Sequence, residues 1–333
     1  MGHMNLKRVS KRVGEEIKST IEVTKLLSFK AALDTLLGKL YIQIMVHNGH
    51  VEYEWIKNQL MKKHAVMNEY FAKICGEIEE EDKFVIPEQD NRYRDCIWIC
   101  WWQGMDNAPD IVKQSISSIQ EHAGLHKVIL ITDENCHEYV KFPAWIEEKR
   151  RAGIISKTHI SDILRLCLLA KYGGVWLDST FFCTGDLEDC FNSSVWSIKR
   201  PDYRHTSVAC GDFANYSFGC NSDSRQVFAT ILNYLLQYWK THDYMVDYLF
   251  LDYLIIQAQK REKDIAEAFS KIVPNNPKCD ELIKILGQPY DETLWNKLKE
   301  DTELFKLTWK AAFPLKVEGK ATFYRKLILG ELK

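Results

Sequence analysis

Asp162, Arg165 and Asp178 sit in a single stretch of the chain, SDILRLCLLAKYGGVWLDST. An aspartate and an arginine three residues apart on a helix leave from neighbouring positions on one face. Between them they offer carboxylate oxygens that accept hydrogen bonds and a planar fork of five donors. That combination suits a charged, hydroxyl-rich ligand. Asp178 follows Arg165 by thirteen residues, where the apolar run Val175-Trp176-Leu177 stops. In open α/β sheets ligands collect beyond the carboxyl ends of strands, where this carboxylate would stand. The plainer account of Asp162 and Arg165 is a solvated ion pair contributing a few tenths of a kcal/mol. A glycine stop followed by a strand-end aspartate tips the reading towards a site.

To bring those groups together the chain needs a helix, a sharp stop and a short strand. Residues 158–172 read as the helix, and Gly173-Gly174 falls where a left-handed C-cap belongs. Residues 175–177 are too few and too apolar for anything but a buried strand. Upstream, residues 96–100 read as a strand running into Trp101-Trp102-Gln103-Gly104. Asp110 then opens a helix, and residues 128–132 form a strand ending at Asp133. Strand, helix, strand at this spacing implies a right-handed βαβ unit of a parallel sheet. The two tryptophans either give a flat face for stacking a base or sugar or pack beneath the next helix. Downstream, residues 195–198, 207–210 and 216–219 read as short strands, and Asp223 as the cap of a helix through Trp239. Residues 244–259 read as a second helix, in which Asp252 stands among apolar neighbours. A carboxylate so placed is either paired or lines a polar cavity. Helices near 280–286 and 291–299 lead to the run 304–309 and a basic tail. The fold class is α/β.

The chain has 333 residues, 46% of them apolar, enough for one large domain with a helical annex and against wholesale disorder. A formal charge of −2 gives no electrostatic case for a nucleic-acid partner. Aspartates interrupt the longest apolar runs, so no membrane span is expected, and no signal peptide is visible. Ten cysteines without a CxxC pair or a metal-ligand rhythm read as reduced, mostly buried thiols of a cytoplasmic protein. The opening Met-Gly-His-Met reads as a cloning remnant, with Met4 as the native start. From residue 5 to about 80, apolar residues recur at three and four, as in Val13, Ile17, Ile21 and Leu33, Leu36, Leu40. Two or three helices are expected there, with breaks near Ser28 and at Asn48-Gly49. Lys7, Arg8, Lys11, Arg12, Lys18, Lys25 and Lys30 make that start basic. It either touches the anionic inner face of a membrane or presents a solvated basic face. The charged run 77–83 marks the boundary, giving a remnant at 1–4, an annex at 5–83 and one α/β domain at 84–333.

The central stretch resembles the signature of bacterial capsular-polysaccharide-synthesis glycosyltransferases, relatives of glycosyltransferase family 32 and, more distantly, of the clostridial toxin glucosyltransferases. IWICWWQGMDNAPDIVKQSI is similar to the opening of the same family, and FKLTWK to its C-terminal element. The resemblance runs over residues 97–309, strongly in these patches. It implies a GT-A fold, in which a Rossmann-like nucleotide half joins an acceptor half. The implied reaction moves a sugar from a nucleotide donor, UDP-linked and with retention, to a surface polysaccharide or its lipid-linked precursor. Carried over, Asp162 and Arg165 hold donor-sugar hydroxyls, and Asp178 is the first aspartate of D-x-D, beside the ribose and a metal. Trp101 or Trp102 stacks on uracil, while Lys306 and Trp309 belong to a loop that closes over the pyrophosphate. Gln103 and Gly174 complete the expected donor set. Asp178, Lys306 and Asp252 are the expected catalytic residues, Asp252 on the acceptor side.

One departure matters. Asp178-Ser179-Thr180 places a hydroxyl where D-x-D has its second carboxylate. A divalent cation, Mn2+ or Mg2+, wants several oxygens and favours carboxylates. By family likeness the metal is expected at Asp178, completed by donor phosphates, water and a residue from elsewhere. Alternatively Lys306 and other cations neutralise the pyrophosphate, or the donor binds without turnover. A sugar-phosphate transferase and a non-catalytic nucleotide-sugar-binding scaffold stand as the other functional readings.

Overall fold

The computed structural model describes residues 6–47, 51–76, 78, 79, 81 and 83–332. Three helices, α1 (Leu6–Leu26), α2 (Phe29–His47) and α3 (Glu54–Ile74), precede an α/β body. The break near Ser28 is where expected. Residues 1–4, the break at Asn48-Gly49, part of the 77–83 connector and the side chains of Lys7 and Arg8 lie outside what is described.

The body is built on a sheet of β1 (Ile97–Cys100), β2 (Val128–Ile131), β3 (Gly174–Leu177), β5 (Val195–Trp196) and β6 (Ser217–Cys220). Their order is β2-β1-β3-β6-β5. β1 runs parallel to β2 and β3, while β6 is antiparallel to β3 and β5 to β6. A parallel, Rossmann-like half thus meets an antiparallel half at β3, the mixed sheet of the expected GT-A class. β1 and β3 are buried on both faces, which is why they read as unbroken apolar runs. Trp98, Cys100 and Trp176 face one core and Ile97, Ile99, Val175 and Leu177 the other. The first core is closed by α7 (Lys157–Tyr172), α8 (Arg225–Thr241), α9 (Phe250–Arg261) and α10 (Lys263–Ser270). The second is closed by α4 (Asp110–His122), α11 (Leu282–Ile285), α12 (Glu292–Lys299) and α13 (Phe323–Ile328). Two short helices, α5 (Cys136–Tyr139) and α6 (Ala144–Arg151), lead from β2 to α7.

A second, two-stranded sheet pairs β4 (Phe181–Cys183) with β7 (Leu304–Lys306), antiparallel. A small hairpin of β8 (Lys316–Val317) and β9 (Lys320–Ala321) follows. The β4–β7 pairing was not anticipated, and it carries Lys306 to the end of β3. The Gly-Gly stop works in two steps. Gly173 closes α7 with its N–H on the Leu169 carbonyl at 2.9 Å, and Gly174, at φ +82°, turns the chain into β3. A Cβ on Gly174 would lie 2.3 Å from the Cys96 carbonyl oxygen.

Three expected elements differ. Residues 207–210 form turns rather than a strand, with Cys210 at φ +50° and Gly211 at φ +80°. Asp223 does not cap α8; the Asn221 side chain accepts the Ser224 N–H at 3.0 Å and α8 starts at Arg225. The second helix begins at Phe250, not 244, so Asp247 lies ahead of it and pairs with Lys63 at 2.8 Å, both side chains buried. All ten cysteines are unbonded, and nine are buried.

Candidate active site

The Ser156 side chain accepts the His159 N–H and starts α7, so that Asp162 and Arg165 leave the helix on its buried face. The Arg165 guanidinium spans two carboxylates: Nη2 is 3.3 Å from Asp162 Oδ1 and 3.5 Å from Asp178 Oδ1. Its Nη1 donates to the Asn215 carbonyl, and Cζ lies 5.1 Å from the Trp176 ring centroid. Trp176 precedes Asp178 by two, so both side chains leave one side of the strand. The Trp176 indole N–H donates to Asp178 Oδ1 at 3.2 Å. His159 Nδ1 stands 3.1 Å from the other Asp162 oxygen. The backbone N–H of Asp178 is fixed on the Tyr216 carbonyl at 3.1 Å. On the far side, Lys306 Nζ lies 3.4 Å from Asp178 Oδ2 and donates to Thr180 Oγ1 at 2.6 Å. Side-chain exposure is 5% for Arg165, 31% for Asp178 and 20% for Lys306, so the arginine is the buried member of the group and the other two reach solvent.

Asp252 joins this group from α9. It is buried, and burial first and the Asp162 carboxylate second push its pKa up to about 7, against Arg165 and a hydrogen bond from the Asn215 side chain. Asp252, expected on the acceptor side, thus stands within reach of the Asp162 and Arg165 charges. Trp101 and Trp309, far apart in sequence, meet edge to face with centroids 5.7 Å apart. Trp309 is half exposed, and the buried Trp101 indole N–H has no acceptor among the described residues. Trp102 is packed away, but not beneath the helix that follows it in the chain. It is buried under α7, its indole N–H donating to Ser161 Oγ at 2.8 Å, with the Arg150 guanidinium over its ring. Gln103 is exposed, and no described contact joins its side chain to the group. Gly174, expected in the donor set, has a structural task. It starts β3 at the end opposite Asp178, wedged on Cys96.

A family profile of capsular polysaccharide synthesis proteins matches residues 48–327. The chain belongs to that family. Two curated relatives resemble shorter parts of it. The O-glycosyltransferase PaGT of Phomopsis amygdali is 27% identical over 111 residues, 31% of this chain and 26% of PaGT. The O-glycosyltransferase braB of Annulohypoxylon truncatum is 29% identical over 106 residues, 29% of this chain and 25% of braB. The match therefore spans about a quarter of each relative's length. Among solved structures, the PaToxG glycosyltransferase aligns over 64% of this chain and 82% of its own, at 12% identity and a TM-score of 0.35. The WbbM bifunctional glycosyltransferase aligns over 95% of this chain and 70% of its own, at 11% identity and a TM-score of 0.37. Superpositions this loose decide nothing about the site.

The side chains do not fit the expected divalent cation. Asp178 is a single carboxylate with one oxygen facing Arg165 and Trp176 and the other facing Lys306. The Thr180 hydroxyl already accepts from Lys306. Among the described residues no three His, Cys, Asp or Glu side chains form a metal-binding group. Two like unit charges 4 Å apart repel by about 4 kcal/mol at an effective dielectric near 20, and a doubly charged ion beside Lys306 would double that. Of the residues that build the site, Thr180, Asn215, Trp176 and His159 were not picked out from sequence. The last two carried a signal, standing two before Asp178 and three before Asp162. Thr180 was noticed only as a defect, and Asn215 gave none.

Proposed function

We propose that the chain is a nucleotide-sugar-dependent hexosyltransferase with a UDP-linked donor. Its acceptor is a growing bacterial surface polysaccharide or the lipid-linked precursor of one. The observation that carries this reading is the Arg165 bridge between Asp162 and Asp178, with Lys306 on its solvent side. Breaking the bond between the anomeric carbon and the diphosphate builds positive character on carbon and negative charge on the leaving group. Preorganised charge aimed at the leaving oxygens is the largest lever on such a step. Lys306 supplies it, while Asp162 and Asp178, locked by Arg165, are acceptors set for sugar and ribose hydroxyls. The Arg165 Nε and Trp101 Nε1 hydrogens, buried without acceptors among the described residues, suit oxygens of a ligand. Trp101 and Trp309 offer the aromatic faces for a base. With Asp252 buried near the Asp162 and Arg165 charges, the donor's own phosphate oxygen is left to take the acceptor proton, as in a retaining reaction.

Transfer and donor hydrolysis in the Asp178→Asn and Arg165→Lys variants, with a panel of nucleotide sugars, test the reading. Each variant should lose roughly a hundredfold or more in rate. The released nucleotide should be a diphosphate, whereas a monophosphate would mark a sugar-phosphate transferase. Wild-type rates in both variants would remove the hypothesis. We also assign α1 and α2 a contact with an anionic membrane surface, where a lipid-linked acceptor would be met. No described helix is long and apolar enough to cross a membrane.

A further inference from the structure

We propose that Lys306 stands in for the divalent cation, so that the donor diphosphate is held by the chain's own ammonium group and nucleotide binding needs no metal. The proposal rests on the nucleotide-sugar reading above and deepens it.

The placement of Lys306 is built rather than incidental. β7 pairs with β4 in a register that sets Lys306 opposite Phe181, directly after Thr180. The Leu307 N–H donates to the Thr180 carbonyl at 2.9 Å, and the Lys306 N–H donates to the Cys279 carbonyl at 2.8 Å. The backbone is thus pinned on both sides of the lysine. Its side chain runs between aromatic rings, with Nζ 5.4 Å from the Tyr216 centroid and 5.7 Å from that of Phe181. A flexible chain confined in this way loses little further freedom when it meets a ligand.

The chemistry of the neighbours agrees. A hydroxyl two residues after the strand-end aspartate is a weak metal ligand but a good acceptor for an ammonium group, and Thr180 accepts from Lys306 at 2.6 Å. Asp178 Oδ2, the oxygen turned away from Arg165, faces the same nitrogen at 3.4 Å. An ammonium has three donors. Two directions are taken by Thr180 and Asp178, and the partly exposed group has a third for a phosphate oxygen. Thr180 in place of a carboxylate is therefore the partner of a lysine that has taken over the ion's work, rather than the loss of a metal ligand.

The test is nucleotide binding, measured by calorimetry on the full chain with UDP, GDP, ADP and dTDP, once in EDTA and once with Mn2+. The best-bound nucleotide should keep its affinity in EDTA to within about threefold. Lys306→Ala should weaken it by about tenfold or more, as the loss of one charge-assisted hydrogen bond does. Lys306→Arg should recover part of that loss. Paramagnetic resonance of Mn2+ with nucleotide-free protein should show only free ion. Binding that requires Mn2+, or a Lys306→Ala variant that binds as tightly as wild type, overturns the inference and leaves the enzyme reading standing. If none of the four nucleotides binds in either arm, the reading itself fails and the inference with it. The EDTA arm needs no variant, so a poorly folded Lys306→Ala protein does not spoil the test.

Discussion

Asp252 keeps its proton further up the pH scale than an ordinary aspartate because burial, and then the Asp162 carboxylate, penalise its charge. Its pKa is about 7 in the fold, against an ordinary value of 3.8. Between those limits the folded chain binds more protons than the unfolded one. The contribution is therefore fully present below 3.8 and is lost as the pH rises through 7. Asparagine keeps the shape without the charge. Asp252→Asn should match wild type only below about pH 3.8 and exceed it increasingly up to about pH 7, levelling off above, by up to a few kcal/mol at roughly 1.4 kcal/mol per pH unit. Urea midpoints of both proteins across that range would show it, and a constant difference would mean that Asp252 ionises without strain. At this scale the sequence spoke only where the partners were local. Asp162, Arg165 and Asp178 share one helix, stop and strand, so their spacing was legible. Lys306 and Thr180 meet over 126 positions, and Asn215 reaches Arg165 through a backbone carbonyl that any residue has and Asp252 through a side chain on a distant loop.

Gly174 shows what an element demands of one position. At φ +82°, and with the Cys96 carbonyl 2.3 Å from where a Cβ would sit, alanine is opposed twice. The backbone term is about 1–2 kcal/mol, and displacing packed main chain costs about 1–3 more. Gly174→Ala should accordingly lose roughly 3 kcal/mol in chemical denaturation, while the folded fraction binds nucleotide as wild type does. Undiminished stability with weakened nucleotide binding would return Gly174 to the donor site. Elements buried on both faces, β1 and β3, were legible because their apolar runs are short and bounded. Residues 244–249 were misread as helix because their apolar residues look helical while tertiary partners take their backbone groups. The Val246 N–H donates to the Tyr238 hydroxyl at 2.9 Å, and its carbonyl accepts from Ser19 and Lys39, each at 2.8 Å. At 207–210 the buried Val208 and Ala209 suggested a strand, whereas the left-handed Cys210 and Gly211 forbid one.

The annex is held to the body by buried charge, yet it keeps an apolar face outward. Lys63 on α3 pairs with Asp247 and also donates to the Tyr253 hydroxyl at 3.1 Å, next to Asp252 on α9. Against the cost of its burial, hydrogen bonds from His242, Tyr244 and Tyr70 hold Glu22 of α1 down to about 2. Breaking such a buried pair by removing one partner costs about 3–5 kcal/mol. Helix α3 buries its apolar stripe, whereas α1 and α2 leave much of theirs outward. Ile17 and Ile21 on α1 are 55% and 49% exposed, and Phe29, Leu36 and Leu40 on α2 are 72%, 41% and 53% exposed. Lys11, Arg12, Lys18, Lys25 and Lys30 lie exposed among them. Apolar stripes fringed by lysines match the interior and headgroups of an anionic lipid surface. The full chain should co-sediment with phosphatidylserine-rich vesicles, less with neutral ones, and less again at high salt. The double variant Ile17→Glu/Leu36→Glu should lose that binding while staying folded, with a melting temperature only modestly lowered, because both side chains are already about half exposed. Equal partitioning of variant and wild type would reject the membrane assignment. Substitution is the sharper test than deletion, since cutting the annex away would leave Asp247 unpaired in the body.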